Sequence, residues 1–287
     1  MSPTVRPLFV AARAGLSRGR IELRQSFTNA ETLWGYFFPT AILLVVMFFL
    51  RGAEVPGTNF SLGAQTLPST LGMTVAFGGL VSVASILTIE REDGTLLRAK
   101  ATPNGMLGYL ISKITLVAGM TLVSVALLLL PGIFLFDGLM LGSVGAWVTL
   151  AWVLLIGMVA TMPIGAVFGS LLSNPRNLGL IMLPIMGLIA TSGIFYPITA
   201  LPGWVQGLAH VFPIYWLGLG MRSALLPDAM AAVEIGQSWR HLETLLALGA
   251  WAVVGLVLAP VVLRRMARRE SGSSVAARRE KALQRVT

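Results

Sequence analysis

Apolar residues gather in six long blocks: Leu33–Leu50, Leu67–Ile89, Leu110–Leu130, Ala146–Leu172, Leu178–Tyr196 and Thr244–Leu263. About 20 apolar residues in a helix cross the hydrocarbon core of a bilayer, so each block predicts a transmembrane helix. No block has an ionisable residue in its middle, and Lys113 lies near one end of the third. Pro39, Pro163, Pro184 and Pro260 fall in blocks one, four, five and six, and Gly165-x-x-x-Gly169 falls in the fourth. These read as kinks and close-packing points. The first block begins after more than thirty residues with no small-x-small site behind it. It therefore reads as an anchor and not as a cleaved signal.

Two regions break this pattern. Residues 197–242 are apolar, yet Pro197, Pro202, Pro213 and Pro227 interrupt them, and Gln206, His210 and Arg222 are polar. Proline breaks a continuous helix, so two short outer helices or a re-entrant hairpin are expected, with His210 solvated at the interface. Upstream of the first block, Leu16, Leu23, Phe27, Ala30 and Trp34 recur at helical spacing, with Arg18, Glu22, Gln25 and Asn29 opposite. That is a basic amphipathic helix lying in the membrane interface. The expected fold is an all-α integral membrane protein with six transmembrane helices. Its single domain divides into an N-terminal segment 1–34 with the interfacial helix, a six-span body 35–263, and a basic tail 264–287.

Composition supports the membrane reading. Of 287 residues 55% are hydrophobic and 11% charged, and mean hydropathy is +0.80; soluble domains carry about 25% charged residues. A net charge of +9 raises nucleic acid as a partner, but the basic residues flank the spans. An even number of spans puts 18 basic residues on one side, and only Arg51, Arg222 and Arg240 on the other. The positive-inside rule then places both termini in the cytoplasm. The preference for Arg over Lys fits a GC-rich bacterial genome, hence a bacterial plasma membrane. The basic tail should meet anionic headgroups.

Missing chemistry narrows the function. No Gly-Lys dipeptide occurs, so there is no Walker A phosphate loop. There is no Cys, and His210 and His241 are the only histidines, so no metal site is expected. No acidic pair sits in mid-membrane, where an ion-coupled carrier needs one, and no D-x-x-D cluster suggests a phosphate-transferring enzyme. The chain reads as a transport protein without its own energy source. An ATP-independent carrier or channel is the alternative; a membrane enzyme of lipid metabolism is disfavoured.

A transporter driven by another chain needs a docking surface, and the charged connection after the second block is the candidate. It opens with Glu90, Arg91, Glu92 and Asp93, which can pair internally or with Arg20, Arg24 and Glu31. Asp93-Gly94 signals a turn, Thr95 can cap a short helix over Leu96–Ala101, and Thr102-Pro103-Asn104-Gly105 ends it. Leu96, Leu97, Arg98 and Lys100 are then available to a partner.

Three stretches resemble the ABC-2 family of exporter membrane subunits, especially the drug-resistance permeases of the daunorubicin type. "IELRQSFTNAETLWGYFFPTAILL" is similar to that family's interfacial helix and first span. "EREDGTLLRAKATPNGMLGYLISKI" resembles its Glu-Arg-Glu-x-Gly-Thr-Leu, Thr-Pro and Lys pattern. "SGIFYPITALPGWVQGLAHVFPIYWLGLGMRSALL" resembles its outer segment. Where family members often place an acid before the Arg, this chain reads Leu217-Gly218-Leu219-Gly220-Met221. The resemblance implies that residues 90–103 form a coupling helix docked in an ATPase cleft, including Thr102 and Pro103. It implies that Arg20, Arg24, Phe27, Glu31 and Trp34 belong to the interfacial helix. It also implies that Pro197, Pro202, Trp204, Pro213 and Arg222 belong to an outer gate. Two permease subunits, as a homodimer or with a sister chain, would pair with two ATPase copies that hold ATP and Mg. This chain would carry no cofactor, and its cargo would be an amphipathic drug, antibiotic or lipid.

Overall fold

The structure, a computed structural model, describes residues 5–54, 60–172, 174–194 and 196–269. Among these residues there is no strand; one isolated bridge joins Glu54 to Ser61. The elements in chain order are α1 (Val5–Ser26), α2 (Ala30–Leu50), α3 (Leu62–Phe77), a π turn (Gly78–Ser82), α4 (Val83–Glu92), α5 (Thr95–Lys100), α6 (Gly105–Leu135), α7 (Val144–Leu171), α8 (Gly179–Thr191), α9 (Gly203–Val211), α10 (Pro213–Leu225) and α11 (His241–Arg269). Among the described residues, five stretches are long and apolar enough to cross a membrane: α2, the continuous run α3–α4, α6, α7 and α11. The all-α membrane architecture is therefore present. The fifth predicted span is shorter than its apolar block. It becomes a 3-10 turn over Pro175–Leu178 followed by the 13 residues of α8. The helix stops because the Ser192 hydroxyl donates to the Ile189 carbonyl at 2.7 Å and Gly193 turns left-handed at φ 69°.

The N-terminal pattern also divides. The face read from Leu16 to Trp34 assumed one continuous helix, but α1 ends at Ser26. Asn29 is extended at φ −94°, ψ 108°, and its side chain accepts the N–H groups of Glu31 and Thr32. This N-cap starts a new helix and resets its phase, so Ala30 and Trp34 belong to α2. Leu16, Leu23 and Phe27 still share one flank at the earlier level. The predicted tail also begins later, because α11 continues through Arg269; the tail beyond it lies outside the described residues.

Small residues set the centre of the bundle. The π turn brings Gly78 to Thr121 of α6 and Gly79 to Thr161 of α7, where a Cβ would stand only 1.9 Å from the Thr161 hydroxyl. Gly165 presses on the Gly79 carbonyl and Gly169 on Ala84, so Gly165-x-x-x-Gly169 serves packing as read. The outer segment forms two short helices, α9 and α10, that meet at Phe212, with Pro213 at the first turn of α10. Twelve of the thirteen residues of α10 are buried. Its Gly218 backbone touches Gly72 of α3, and Gly220 meets Val153 of α7 and Thr244 of α11. Backbone that does not span the membrane is tolerated there because protein encloses it. The opposite polarity appears at the periphery, where Phe37, Phe38 and Phe49 of α2 and Val253, Leu256 and Val257 of α11 are exposed. A lipid-facing surface has this composition.

Candidate functional site

Two charge clusters lie at opposite ends of the bundle. The first surrounds the end of α4. Lys113, 7% exposed in the first turns of α6, bridges two carboxylates. Its Nζ lies 2.5 Å from Glu90 Oε1 on α4 and 2.7 Å from Glu22 Oε2 on α1. Ser112 donates to the same Glu22 oxygen at 3.3 Å, and Arg18 pairs with Glu22 Oε1 at 2.8 Å. The Tyr109 ring covers the ammonium at 5.6 Å. Burial alone would raise the Glu22 carboxyl; the hydrogen bonds and charges of Lys113 and Arg18 outweigh it and hold Glu22 below its ordinary value.

Helix α1 reaches this cluster along a row of small residues. Ala11, Gly15 and Gly19 are buried against Gly108, Ile111, Ser112 and Thr115, and Leu23 closes on Gly119. The two helices run side by side in the same direction. A Cβ at Gly15 would stand 2.4 Å from the Gly108 carbonyl oxygen, so no larger residue fits without separating the helices.

The neighbour of Glu90 points the other way. Arg91 Nη1 donates to the Leu172 carbonyl at 2.9 Å and to the Ser170 carbonyl at 3.3 Å. These belong to the C-terminal end of α7, where carbonyls lack helical partners and the dipole favours a cation. Two consecutive side chains of α4 thus fasten it to two helices, α6 through Glu90 and α7 through Arg91, and Lys113 carries the link on to Glu22 of α1.

Helix α5 hangs directly below this point. Gly94 takes φ 83°, a left-handed turn that a side chain would strain, and the Asp93 carboxylate accepts the Thr95 N–H at 2.8 Å. Gly94 thus holds the cap position with Asp93 bonding in from the residue before it, and Thr95 is the first residue of a helix running one residue earlier than expected, Thr95–Lys100. Leu96 (1% exposed) and Ala99 face the bundle, Leu97 and Glu92 are half-buried, and Arg98 and Lys100 are exposed. The Thr102 hydroxyl donates to the Ala99 carbonyl at 2.9 Å, Pro103 is exposed, and Asn104 at φ 53° begins α6. A cavity of about 500 Å³ separates the α5–α6 corner from Pro7, Val10, Ala14 and Arg18 of α1.

The acidic run does engage α1, but through Lys113 and Glu22 in place of Arg20, Arg24 or Glu31. Arg20 and Arg24 are exposed on the far side of α1, and Glu31 lies in the first turn of α2. Phe27 is exposed in the turn after α1, and Trp34 stacks on Phe38 at 5.4 Å. The signal for Glu22 was present: the row Ala11, Gly15, Gly19 points a close-packed face one turn ahead of it.

The second cluster is centred on α10. Arg222, 1% exposed, makes a two-pronged contact with Glu234, Nε to Oε1 at 2.6 Å and Nη2 to Oε2 at 3.2 Å. Its remaining Nη1 donates to Ser69 Oγ of α3 at 3.0 Å and to the Gly193 carbonyl at 3.3 Å. The acid that answers Arg222 lies twelve residues after it in the chain. The other predicted outer residues do not join this cluster. Pro213 is buried at the start of α10, Pro197 is half-buried, and Pro202 is exposed before α9. Trp204 is 75% exposed and lines, with Trp251, an apolar cavity of about 610 Å³ between α7, α8, α9 and α11. His210 is not simply solvated: its Nε2 lies 3.4 Å from Arg240 Nη1, and burial, with the Arg240 charge, lowers its pKa.

A bundle of long apolar helices, with one charged corner tying a short external helix to its neighbours, defines a multi-pass membrane protein. The chain matches the family described as ABC-2 family transporter protein over residues 56–260, and it belongs to that family. It is thus a membrane component of an ABC transporter, and membership implies an ABC ATPase as its partner. No curated protein matches the chain.

Proposed function

We propose that this chain is the permease subunit of an ATP-driven exporter of the daunorubicin-resistance type, and that α5 is the point on which a separate ATPase acts. One observation carries the reading: Glu90 and Arg91, adjacent on α4, fasten the base of α5 to α6 and α7, and Lys113 extends the link from α6 to Glu22 of α1. A push on α5 is transmitted to these helices together, because a buried, charge-assisted contact resists sliding more than an apolar one. Arg98, Lys100, Thr102 and Pro103 face outward for the partner. Two permease subunits, identical or sister chains, enclose the pathway above two ATPase copies that bind ATP and Mg. The excess of basic residues on the α5 side puts that side and both termini in the cytoplasm of a bacterium. The outer segment, with Pro197, Pro202, Trp204, Pro213 and Arg222, gates the far end. Spans with little exposed polarity suit an amphipathic drug, antibiotic or lipid as cargo.

The test is co-purification with candidate ATPases, then efflux of amphipathic dyes from vesicles holding the complex. Glu90→Gln and Gly94→Val should lower ATP-dependent efflux while membrane insertion is unchanged. Wild-type rates in both variants, or full efflux from vesicles lacking any ATPase, would sink the reading.

A further inference from the structure

The strap 226–240 joins α10 to α11, and its last residue meets the end of α9. Of the chain's two histidines, His241 is exposed and lines a groove with Thr149 and Trp152 of α7. His210, in the last turn of α9, is half-buried. Its ring lies edge-on to Tyr215 at 4.9 Å and tilted against Trp216 at 5.5 Å. The Trp216 indole donates to the His210 carbonyl at 2.7 Å. Arg240 closes the group: its guanidinium stands 5.1 Å from the Trp216 ring centre, and Nη1 is 3.4 Å from His210 Nε2. Arginine has only donors and keeps its charge. The contact therefore needs a lone pair on Nε2, hence a neutral ring with its proton on Nδ1. The strap has reason to depend on it. Gln237 at φ 50° and Arg240 at φ 49° take the left-handed region, which a side chain strains. Such backbone persists only where its surroundings hold it.

We propose that His210 and Arg240 form an acid-released latch: neutral His210 holds the strap against α9, and protonation of His210 lets it go. The added proton sits on Nε2 and faces an arginine donor, so a hydrogen bond becomes a repulsion between two cations. Among the described residues no carboxylate meets the His210 ring to offset it. Glu243 lies beyond Arg240, with Oε1 3.5 Å from Nε. Glu234 is taken by Arg222, and Asp228 accepts from the Trp239 indole. Burial, then repulsion by Glu234, pushes Tyr215 up to about 12, so it stays neutral. Burial, then the Arg240 charge, lowers the pKa of His210 in the latched form. Once released, the ring titrates near its ordinary value of about 6.5. The released form thus takes up the proton more readily. The latch is at full strength above about pH 6.5 and weakens as pH falls below it. Under the gating reading this strap faces the outer medium, so an acid exterior would loosen the gate. That consequence rests on the gating reading; the latch itself does not.

Amide exchange over 226–240 in the detergent-purified full chain, corrected for its intrinsic pH dependence, reads the latch. From pH 7.5 to 5.5 exchange in the strap should rise several-fold, about tenfold being the ceiling for one proton over this range. The rise should vanish in His210→Gln, which keeps a side-chain acceptor but does not titrate, and persist in His241→Gln. Arg240→Gln should exchange faster than the parent at pH 7.5 and show no further rise in acid. If His210→Gln does not fold, the His241→Gln chain carries His210 as its single histidine, and its ring resonance reports the titration directly. That titration should fall below about pH 6.5 and move up when Arg240→Gln is added. Exchange that ignores pH in the parent, a rise that survives His210→Gln, or a His210 that titrates at or above its ordinary value overturns the proposal. The readout needs neither ATPase nor cargo, so the latch and the gating reading stand or fall separately.

Discussion

Removing the Glu234 carboxylate should destabilise the protein more than removing both members of its pair. In Glu234→Gln the guanidinium of Arg222 stays 1% exposed with its charge uncompensated; Ser69 Oγ and the Gly193 carbonyl supply hydrogen bonds but no negative charge. Breaking one side of a buried ion pair costs about 3–5 kcal/mol, whereas replacing both charges with apolar groups of similar volume is often close to neutral. At about 2 °C per kcal/mol for a chain of this length, the single substitution should lower the unfolding midpoint by roughly 6–10 °C. Arg222→Met should cost a similar amount by stranding Glu234. Arg222→Met with Glu234→Leu should recover most of the loss, a coupling energy of about 5 kcal/mol or more in the double-mutant cycle. The assay is thermal unfolding of the detergent-purified protein, followed through its seven tryptophans. A Glu234→Gln midpoint within a degree of the parent, or strictly additive losses in the double variant, would refute the idea that this pair acts as one buried unit.

At the opposite end, Lys113→Met leaves Glu22 and Glu90 facing each other without their shared cation. Amide exchange in α1 should accelerate at least tenfold, with α7 little changed. Gly15→Leu should do the same by steric means, costing about 1–3 kcal/mol of α1 docking; limited proteolysis near α1 reads it. Because the folded-state pKa of Glu22 is depressed, its contribution to holding α1 is complete above the unfolded carboxylate value, about 4.3, and is lost as pH falls through the lower folded value. Exchange in α1, corrected for its intrinsic pH dependence, should therefore be flat from about pH 6 to 8 and rise only in acid; a step near neutral pH would point to a different group.

Much of the fold was legible in order along the chain. A block of some twenty apolar residues has few options other than a membrane helix, because its backbone must satisfy its own hydrogen bonds in lipid. Five long helices follow from that alone, and the prolines between Pro197 and Pro227 foretold the two short helices α9 and α10. The fifth block misled because hydropathy counts apolar residues but not helix-ending ones, and Ser192 and Gly193 end α8 at Thr191. The α1 face misled past Phe27 because one side-chain cap, Asn29, resets the helical phase without changing the spacing of apolar letters.

The sites divide in the same way. Local chemistry placed a turn at Asp93-Gly94 and a short helix after it, since turn residues act within a few positions of themselves. Charge pairing was beyond the sequence. Lys113 meets Glu22 across 91 positions and Glu90 across 23, and Arg222 meets Ser69 across 153. Any of five acids on the outer side, Glu54, Asp137, Asp228, Glu234 or Glu243, could have answered Arg222. What the sequence by itself determined is where the chain enters and leaves the apolar phase, because transfer free energy is summed along a continuous stretch. Only the tertiary structure decided which buried charges meet, because that depends on glycine contacts a few ångströms wide that set how closely α1 and α6, or α3 and α10, lie together.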